Sequence, residues 1–245
     1  MFKNTIFWLV LSACFPYFLQ AQTPRLVVPV GHTKYISAIS MSPNGKLVLT
    51  SSYEEGTKLW DNKGREVVSV PATSYVNAFS PDGQCFLTAD TGNTMVMWDL
   101  SGKLKFRFSG HTDEVRFVAW MPDGKWVVSA DYGGDLILWD LTGTKIRELK
   151  GVRNPTITAD GQFIVSAEGY QVSIWNISGT LVHQFEDAEL KKAYESSFKD
   201  SGIVIPTDSY FTSVAVSPDQ KSIATCTYDG KGGIWSWQGE KLHTF

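Results

Sequence analysis

Five tryptophans recur along the chain, and each is followed four residues later by a glycine. Successive tryptophans are separated by 38, 41, 36 and 60 residues. The last interval becomes ordinary if about 24 residues are an insertion, because a period of about 40 residues ending in Trp-Asp is typical of a four-stranded propeller blade. The chain therefore contains a repeated unit of short strands. The five residues are Trp60, Trp98, Trp139, Trp175 and Trp235.

A second landmark precedes each tryptophan at a nearly constant distance. It is a turn of the type Ser-Pro-Asp-Gly, and the proline and glycine in it favour tight reversal of the chain. Two landmarks in one register indicate a repeated supersecondary unit more strongly than either alone. The turns run from Ser42 to Gly45, Ser80 to Gly83, Met121 to Gly124, Ala159 to Gly161 and Ser217 to Gln220.

These residues resemble the WD40 repeat family, in the form carrying Trp-Asp-Leu-x-Gly that is found in secreted bacterial proteins. The resemblance covers residues 25–245. It implies an all-β propeller that acts as a rigid platform for other proteins, usually without catalysis. Because a fold does not by itself give a function, that implication rests on analogy.

The expected architecture is a WD40-type β-propeller with five four-stranded blades, at residues 31–70, 71–108, 109–150, 151–185 and 209–245. In the first blade the strands are expected at Tyr35–Met41, Lys46–Ser52, Thr57–Asp61 and Glu66–Val70. A ring of five would turn ~72° per blade, near the tight limit for propellers. Residues 25–30 also look like the outer strand of a further blade. We therefore expect an incomplete ring, or a fragment of a seven-bladed propeller within a larger protein.

The first 21 residues carry one lysine and an apolar stretch and end at a small residue, Ala21, which is typical of a signal peptide. An alternative is lipoprotein processing at Cys14, and an uncleaved anchor is a third reading. We expect export to the periplasm, the cell surface or the medium. Without residues 1–21 the chain has 21 basic and 25 acidic residues. This acidic balance argues against nucleic acid, and against a membrane unless Cys14 is lipidated.

Two cysteines remain, Cys85 and Cys226, each in an apolar second strand of a different blade. Because those blades are not adjacent, two buried free thiols are favoured over a disulfide. No cofactor or metal is expected.

WD40 blades often contain a buried relay of tryptophan, serine or threonine, histidine and aspartate, which satisfies polar groups and fixes blade geometry. Counting from the tryptophans gives no blade with the complete set. The first blade offers His32, Ser52, Glu54 and Trp60, the third offers His111 and Trp139 with Asp131 in the serine position and Gly133 in the aspartate position, and the fifth offers Thr227, Asp229 and Trp235.

Tyrosines recur next to the relay acid and at the start of the first strands, and the resemblance places both positions around the central channel. Tyrosine combines a rigid apolar face with a polar tip, which suits protein recognition; the alternative is that these rings only fill turns. The candidate partner-binding residues are Tyr35, Tyr53, Tyr132, Tyr210 and Tyr228.

Residues 186–208 form the insertion between the fourth and fifth blades. Leu190, Ala193, Tyr194 and Phe198 recur at helical spacing, which predicts a short amphipathic helix. Long insertions of this kind are usually functional or disordered. We expect the helix to border the partner-binding face, so that deleting residues 188–204 would weaken binding without unfolding the protein.

The sequence therefore favours a non-catalytic scaffold that binds a protein or peptide on its narrow face; its oligomeric state is open. One alternative is a hydrolase or lactonase with a metal in the channel, which would need acids to converge there. Another is carbohydrate binding through exposed aromatic rings. The acids nearest to such an arrangement are Glu54, Asp90, Asp131 and Asp229.

Overall fold

The structure, a computed structural model, describes residues 31–72, 74–201 and 210–245. Within this part, His32–Phe245 belong to one unit. The predicted signal peptide, Cys14 and the predicted strand at 25–30 lie outside the described residues. No helix in the described ranges is both long enough and apolar enough to span a bilayer.

The described residues form five antiparallel sheets of four strands, each a meander in chain order. This confirms the predicted all-β fold of five four-stranded blades. We number them sheet one to sheet five. Sheet one contains β1 (Ile36–Met41), β2 (Leu47–Ser52), β3 (Gly56–Asp61) and β4 (Glu66–Val70). Sheet two contains β5 (Asn77–Phe79), β6 (Cys85–Asp90), β7 (Thr94–Asp99) and β8 (Leu104–Ser109). Sheet three contains β9 (Val115–Trp120), β10 (Trp126–Asp131), β11 (Leu136–Asp140) and β12 (Lys145–Leu149). Sheet four contains β13 (Thr156–Ile157), β14 (Phe163–Glu168), β15 (Gln171–Asn176) and β16 (Leu181–Glu186). Sheet five contains β17 (Phe211–Val216), β18 (Ser222–Thr227), β19 (Gly232–Ser236) and β20 (Lys241–Thr244).

The turn between the first and second strands is held by its own side chains. In sheet two, Ser80 Oγ accepts a hydrogen bond from the Cys85 amide at 2.9 Å and donates to Asp82 Oδ1 at 2.6 Å. Gly83 closes the turn with a positive φ of 67°, which a glycine adopts without steric cost. Thr158 plays the part of Ser80 in sheet four, with Asp160 as its acceptor. The Ser-Pro-Asp-Gly sequence thus specifies the turn locally.

The aspartate after the tryptophan caps the turn between the third and fourth strands. Asp99 Oδ1 accepts hydrogen bonds from the amides of Ser101 at 2.9 Å and Lys103 at 3.0 Å. Asp140 makes the same pair of bonds in sheet three. Aspartate is favoured here because its short carboxylate reaches backbone amides two residues on. The Trp-Asp pair therefore ends one strand and starts the reversal.

The core lies between consecutive sheets. Val115 and Val118 of sheet three pack in one cluster with Leu87 and Met95 of sheet two, and Trp139 completes this layer with 1% exposure. Sheet four packs on sheet five in a second cluster of the same kind. Burying each such side chain stabilises the fold by about 1.5–3 kcal/mol, so each sheet depends on its neighbours for stability.

Sheets one and five each have one exposed face, and residues at the equivalent positions of other sheets are buried. Ile39 in β1 is 72% exposed, whereas Val118 and Val214, at the equivalent positions of β9 and β17, are 6% and 8% exposed. After β20, Phe245 is 62% exposed, whereas Phe108 at the equivalent position of sheet two is fully buried. The sheets in the described ranges do not close into a ring, which agrees with the expected incomplete propeller.

The fourth sheet departs from the others at its first strand. β13 has only two residues and begins after Pro155, since proline cannot donate to the ladder. The preceding residue, Asn154, has a positive φ of 46°. The first strand of sheet four is therefore irregular next to Pro155.

The insertion contains the predicted helix, α1 (Ala188–Ser201). Asp187 caps it, because its Oδ1 accepts hydrogen bonds from the amides of Glu189 at 3.0 Å and Leu190 at 3.1 Å. Leu190 is 8% exposed and packs in the cluster between sheets four and five. Deleting the helix would therefore remove a core side chain, which argues against the expectation that the fold would be unaffected.

The cysteine prediction was wrong in part. Both thiols are free, but Cys226 is exposed and only Cys85 is partly buried. At the equivalent position of sheet three, Ala130 is 2% exposed and packs in a cluster with Ile164 of sheet four, so Cys226 lies on the face of sheet five that no described sheet covers.

Candidate partner-binding surface

One end of the sheets collects the start of each first strand and the end of each second strand. Antiparallel pairing places Val115 opposite Asp131 and Phe211 opposite Thr227. The residues just beyond these pairs are therefore neighbours. The amide of Tyr132 donates to the Glu114 carbonyl at 2.8 Å, and that of Tyr228 to the Tyr210 carbonyl at 3.0 Å. We call this end of the sheets the tyrosine face.

All five predicted tyrosines lie on the tyrosine face. Tyr35, Tyr53, Tyr132 and Tyr228 are exposed, with 78%, 41%, 63% and 62% of their surface accessible, and Tyr210 is half-buried. Tyr210 stacks on Tyr228 with 5.5 Å between the ring centroids. Large exposed aromatic rings are unusual away from interaction surfaces when they occur as a group. Their placement fits a recognition surface, and their binding role stays a prediction.

Three further residues on this face were missed by the sequence analysis. Tyr75 stacks on Tyr53, with ring centroids 4.4 Å apart. The Arg116 guanidinium lies 3.9 Å from the Tyr75 ring centroid and 5.7 Å from that of Tyr132, and Arg153 lies 5.8 Å from the Tyr132 ring. The rings and guanidinium groups thus form a continuous row from sheet one to sheet four.

A sequence signal for these residues exists. Tyr75, Arg116 and Arg153 each lie five residues before the residue whose amide donates to the first residue of the second strand, which is Ser80, Met121 and Thr158 respectively. They occupy one repeated position, which differs from the position beside the relay acid. Counting back from the turns would have found them.

The row borders a cavity of about 640 Å³ on the tyrosine face. Its walls come from sheets three, four and five and from the segment before β5. A volume of this size lies within the range of sites that take small molecules or side chains. The lining residues include Tyr75, Arg116, Tyr132, Arg153, Glu168 and Tyr210.

Each arginine at the cavity has a carboxylate partner. Glu114 Oε2 accepts from Arg116 Nε at 2.9 Å, and Glu168 Oε1 lies 2.8 Å from Arg153 Nε. The Arg116 and Arg153 side chains are 41% and 39% exposed. Such half-exposed pairs are weak, worth about 0–1 kcal/mol, so an incoming group can replace them.

Behind the cavity, sheet three contains a complete relay, contrary to the sequence prediction. Trp139 Nε1 donates to Ser129 Oγ at 2.8 Å, His111 Nε2 lies 2.7 Å from the same oxygen, and His111 Nδ1 lies 3.1 Å from Asp131 Oδ2. Burial lowers the pKa of His111 although Asp131 raises it. A neutral His111 satisfies every group: Nδ1–H donates to Asp131 and Nε2 accepts from Ser129.

Sheet one has a similar relay with other residues than predicted. Trp60 Nε1 donates to Thr50 Oγ1 at 2.7 Å, and His32 Nε2 lies 2.8 Å from that oxygen. Glu55, not Glu54, lies near His32 Nδ1 at 3.3 Å. The hydroxyl of Ser52 is buried without a hydrogen-bond partner among the described residues. The predicted hydroxyl residue, Ser52, is two positions after the observed Thr50, and the predicted acid, Glu54, is one position before the observed Glu55.

The same two-residue error explains sheets three and five. Ser129, not Asp131, is the hydroxyl residue of sheet three, and Asp131, not Gly133, is its acid. In sheet five, Trp235 Nε1 donates to Thr225 Oγ1 at 2.9 Å rather than to Thr227. Asp229 instead accepts from Thr227 and forms an ion pair with Lys231 at 2.7 Å.

The Glu55 carboxylate is held by more than its histidine. The Thr33 hydroxyl and the amides of Thr33 and Lys34 donate to it, at 2.5, 2.9 and 3.2 Å. These bonds, first that from the Thr33 hydroxyl, lower the pKa of Glu55 to about 2. Glu55 is thus a structural acceptor that fixes the start of sheet one.

The four acids considered for a metal-dependent site have separate partners. Asp90 pairs with Arg107, Glu54 lies 3.4 Å from Lys34, and Asp131 and Asp229 make the contacts given above. In the part of the chain that the structure describes, no three His, Cys, Asp or Glu side chains are grouped so that they could bind one metal ion. The acids do not converge.

A family model described as WD domain, G-beta repeat, matches the chain four times. The matched residues are 24–61, 65–99, 102–140 and 203–236, more than half of the sequence. The strands of sheet four lie between the third and fourth matches, and sheet four is also the one with the short first strand. There Trp175 Nε1 lies 3.4 Å from Ser166 Oγ, the longest of the five tryptophan contacts.

Curated proteins with similar segments include the small ribosomal subunit protein RACK1 from two organisms. That of Caenorhabditis elegans is 34% identical over 77 residues, 30% of this chain and 23% of that protein, and that of Neurospora crassa is 35% identical over 79 residues, 31% and 25%. The cross-pathway control WD-repeat protein 2 of Flammulina velutipes is 40% identical over 76 residues, 30% and 24%. The chain thus spans about a quarter of the length of these relatives.

Proposed function

Because the chain belongs to the WD40 repeat family, we propose that it is a non-catalytic scaffold that binds a protein partner on the tyrosine face. The observation that carries the proposal is the row of rings and guanidinium groups from Tyr53 to Arg153. Aromatic residues and arginine are the types enriched at binding hot spots. Tyr53, Tyr75 and Arg116 stack on one another, so part of the rotamer freedom of these side chains is already lost before a partner binds.

The names of the relatives support the same reading. They are a ribosomal subunit protein and a WD-repeat control protein, and neither name describes catalysis. The separate pairing of the four acids gives no support to the metal-dependent hydrolase. We propose the scaffold role without catalysis, as part of a larger protein or assembly.

Export is a further part of the proposal and rests on the leader-like residues 1–21. The test is N-terminal sequencing and mass measurement of protein recovered from the envelope and the medium of the native host. A chain beginning at Gln22 supports signal-peptide cleavage, and a lipidated Cys14 supports membrane attachment. Protein that keeps Met1 and stays in the cytoplasm contradicts export.

A photo-crosslinking residue at position 132 tests the partner-binding face. Tyr132 is exposed on the tyrosine face, whereas Leu141, 39% exposed, lies in the turn at the opposite end of sheet three. Expressed in the native host, the variant at position 132 should give a discrete crosslinked species that the variant at position 141 does not. Equal crosslinking at both positions, or none at 132, would contradict a binding site on the tyrosine face.

A further inference from the structure

We propose that the cavity between Arg116 and Arg153 binds an anionic side chain, a carboxylate or a phosphate group, presented by a peptide segment of the partner. This inference rests on the proposed scaffold function and adds the chemistry of the partner. It depends on how the two guanidinium groups are fixed and on which of their hydrogens remain for a ligand.

Arg116 is held in place by an aromatic face and by one carboxylate. Its guanidinium lies 3.9 Å from the Tyr75 ring centroid, and Glu114 Oε2 contacts Nε at 2.9 Å and Nη2 at 2.7 Å. Among the described residues, none of these contacts involves Nη1. A guanidinium stacked on a ring keeps its N–H edge available for oxygen ligands. The Nη1 side of Arg116 is therefore ready to donate.

Arg153 is fixed by the turn that carries Tyr132. Its Nη1 donates to the Tyr132 carbonyl at 2.9 Å, and Nη2 donates to the Gly133 carbonyl at 3.3 Å. Together with the Nε contact to Glu168, these bonds use three of its five N–H groups. The two remaining hydrogens lie on a side chain that is already ordered, so binding an anion costs little rotamer entropy.

The Tyr132 ring brings the two arginines to one place. Both guanidinium carbons lie within 5.8 Å of its centroid, and both side chains line the same cavity. Both guanidinium groups can therefore donate to an anionic segment that enters the cavity, and charge-assisted bonds of this kind are about twice as strong as neutral ones.

The carboxylates at the cavity do not prevent this. The Asp131 side chain is 1% exposed, and its oxygens already accept from the Asp135 amide at 2.9 Å and face His111. Glu168 is 53% exposed and borders the cavity at its rim. An anion that displaces Glu168 releases it to water, where its charge is screened. Glu114 occupies only the Nε and Nη2 side of Arg116, so Nη1 of Arg116 and the two remaining hydrogens of Arg153 can still donate to an anionic group.

The test measures binding of labelled peptides to the whole chain by fluorescence anisotropy. The probes are four short peptides with glycine and serine spacers around a central pair of residues: glutamate, phosphoserine, glutamine or lysine. We expect the glutamate or the phosphoserine peptide to bind and the other two not to bind. A preference for phosphoserine identifies phosphate as the source of the anion, and a preference for glutamate identifies the carboxylate.

Arg116→Gln and Arg153→Gln should each weaken binding of the preferred peptide by about tenfold or more, since each variant removes a charge-assisted hydrogen bond. Arg65→Gln is the matched control, because Arg65 is 73% exposed and pairs with Asp61 at the opposite end of sheet one. It removes the same charge away from the cavity and should leave affinity unchanged. Circular dichroism and urea unfolding check that each variant is folded.

The proposal is overturned if no peptide binds, if the glutamine peptide binds as well as the acidic ones, or if Arg65→Gln weakens binding as much as the cavity variants. In that case crosslinking from position 132 still reports on the scaffold function. A crosslinked partner whose yield is unaffected by Arg116→Gln would leave the scaffold in place and exclude anion recognition.

Discussion

Replacing Ser129 by alanine removes one hydroxyl that serves two buried ring nitrogens. Ser129 is fully buried, Trp139 is 1% exposed, and Ser129 Oγ lies 2.8 Å from Trp139 Nε1 and 2.7 Å from His111 Nε2. A buried polar group left without a partner costs about 1–3 kcal/mol. With two such groups, we expect Ser129→Ala to lower the free energy of unfolding by about 2–6 kcal/mol.

Ser166→Ala is the matched control in sheet four. Ser166 is also buried, but its oxygen lies 3.4 Å from Trp175 Nε1 and Trp175 is only partly buried. A bond of this length is weak, so the loss should be below about 1 kcal/mol. The free energies come from urea unfolding followed by tryptophan fluorescence, with the slope compared between variants to check that the same surface unfolds.

A second variant separates the hydrogen bonds from the change in volume. Ser129→Thr keeps a hydroxyl at the position where sheet one has Thr50 and sheet five has Thr225, both of which accept from their tryptophans. It should retain most of the wild-type stability. Equal losses for Ser129→Ala and Ser166→Ala, or a loss below about 1 kcal/mol for Ser129→Ala, would refute the reasoning that this relay stabilises sheet three.

Three other predictions follow from burial. Because burial lowers the pKa of His111 in the folded state, the unfolded chain takes up the proton more readily. The urea midpoint should therefore fall as the pH drops below about 6.5, and His111→Asn should lose this dependence; a midpoint constant down to about pH 5 contradicts it. Val118→Lys should destabilise the protein by several kcal/mol, since it buries a charge, whereas Ile39→Lys should change the free energy of unfolding by less than about 0.5 kcal/mol; equal effects in urea unfolding would mean that Ile39 is covered in solution. Cys226 should react with a thiol reagent in the folded protein before Cys85, whose pKa burial raises; peptide mapping after brief alkylation identifies which thiol is modified.

The structure corrects the hydroxyl residue that was assigned to the relay, because the residue that meets the tryptophan lies two positions earlier in the second strand than predicted. Ser52 and Thr50 are both hydroxyl residues of β2, and only the pairing of sheet one decides which of them meets the Trp60 indole. Side chains in a strand alternate between faces, and two residues apart they share a face. An error of two residues therefore keeps a hydroxyl on the same face of β2, but places it two positions away from the residue that bonds the indole.

The sequence by itself determined the five repeats, their strands and their turns, because each turn is closed by bonds between residues at most five apart, such as Ser80 with Cys85 and Asp99 with Lys103. Only the tertiary structure decided that Tyr75, Arg116 and Arg153 meet at one cavity, since they come from different sheets. It also decided that Ile39 is exposed while Val118 is buried. These two positions have the same pattern in sequence, and they differ only in whether another sheet packs against them.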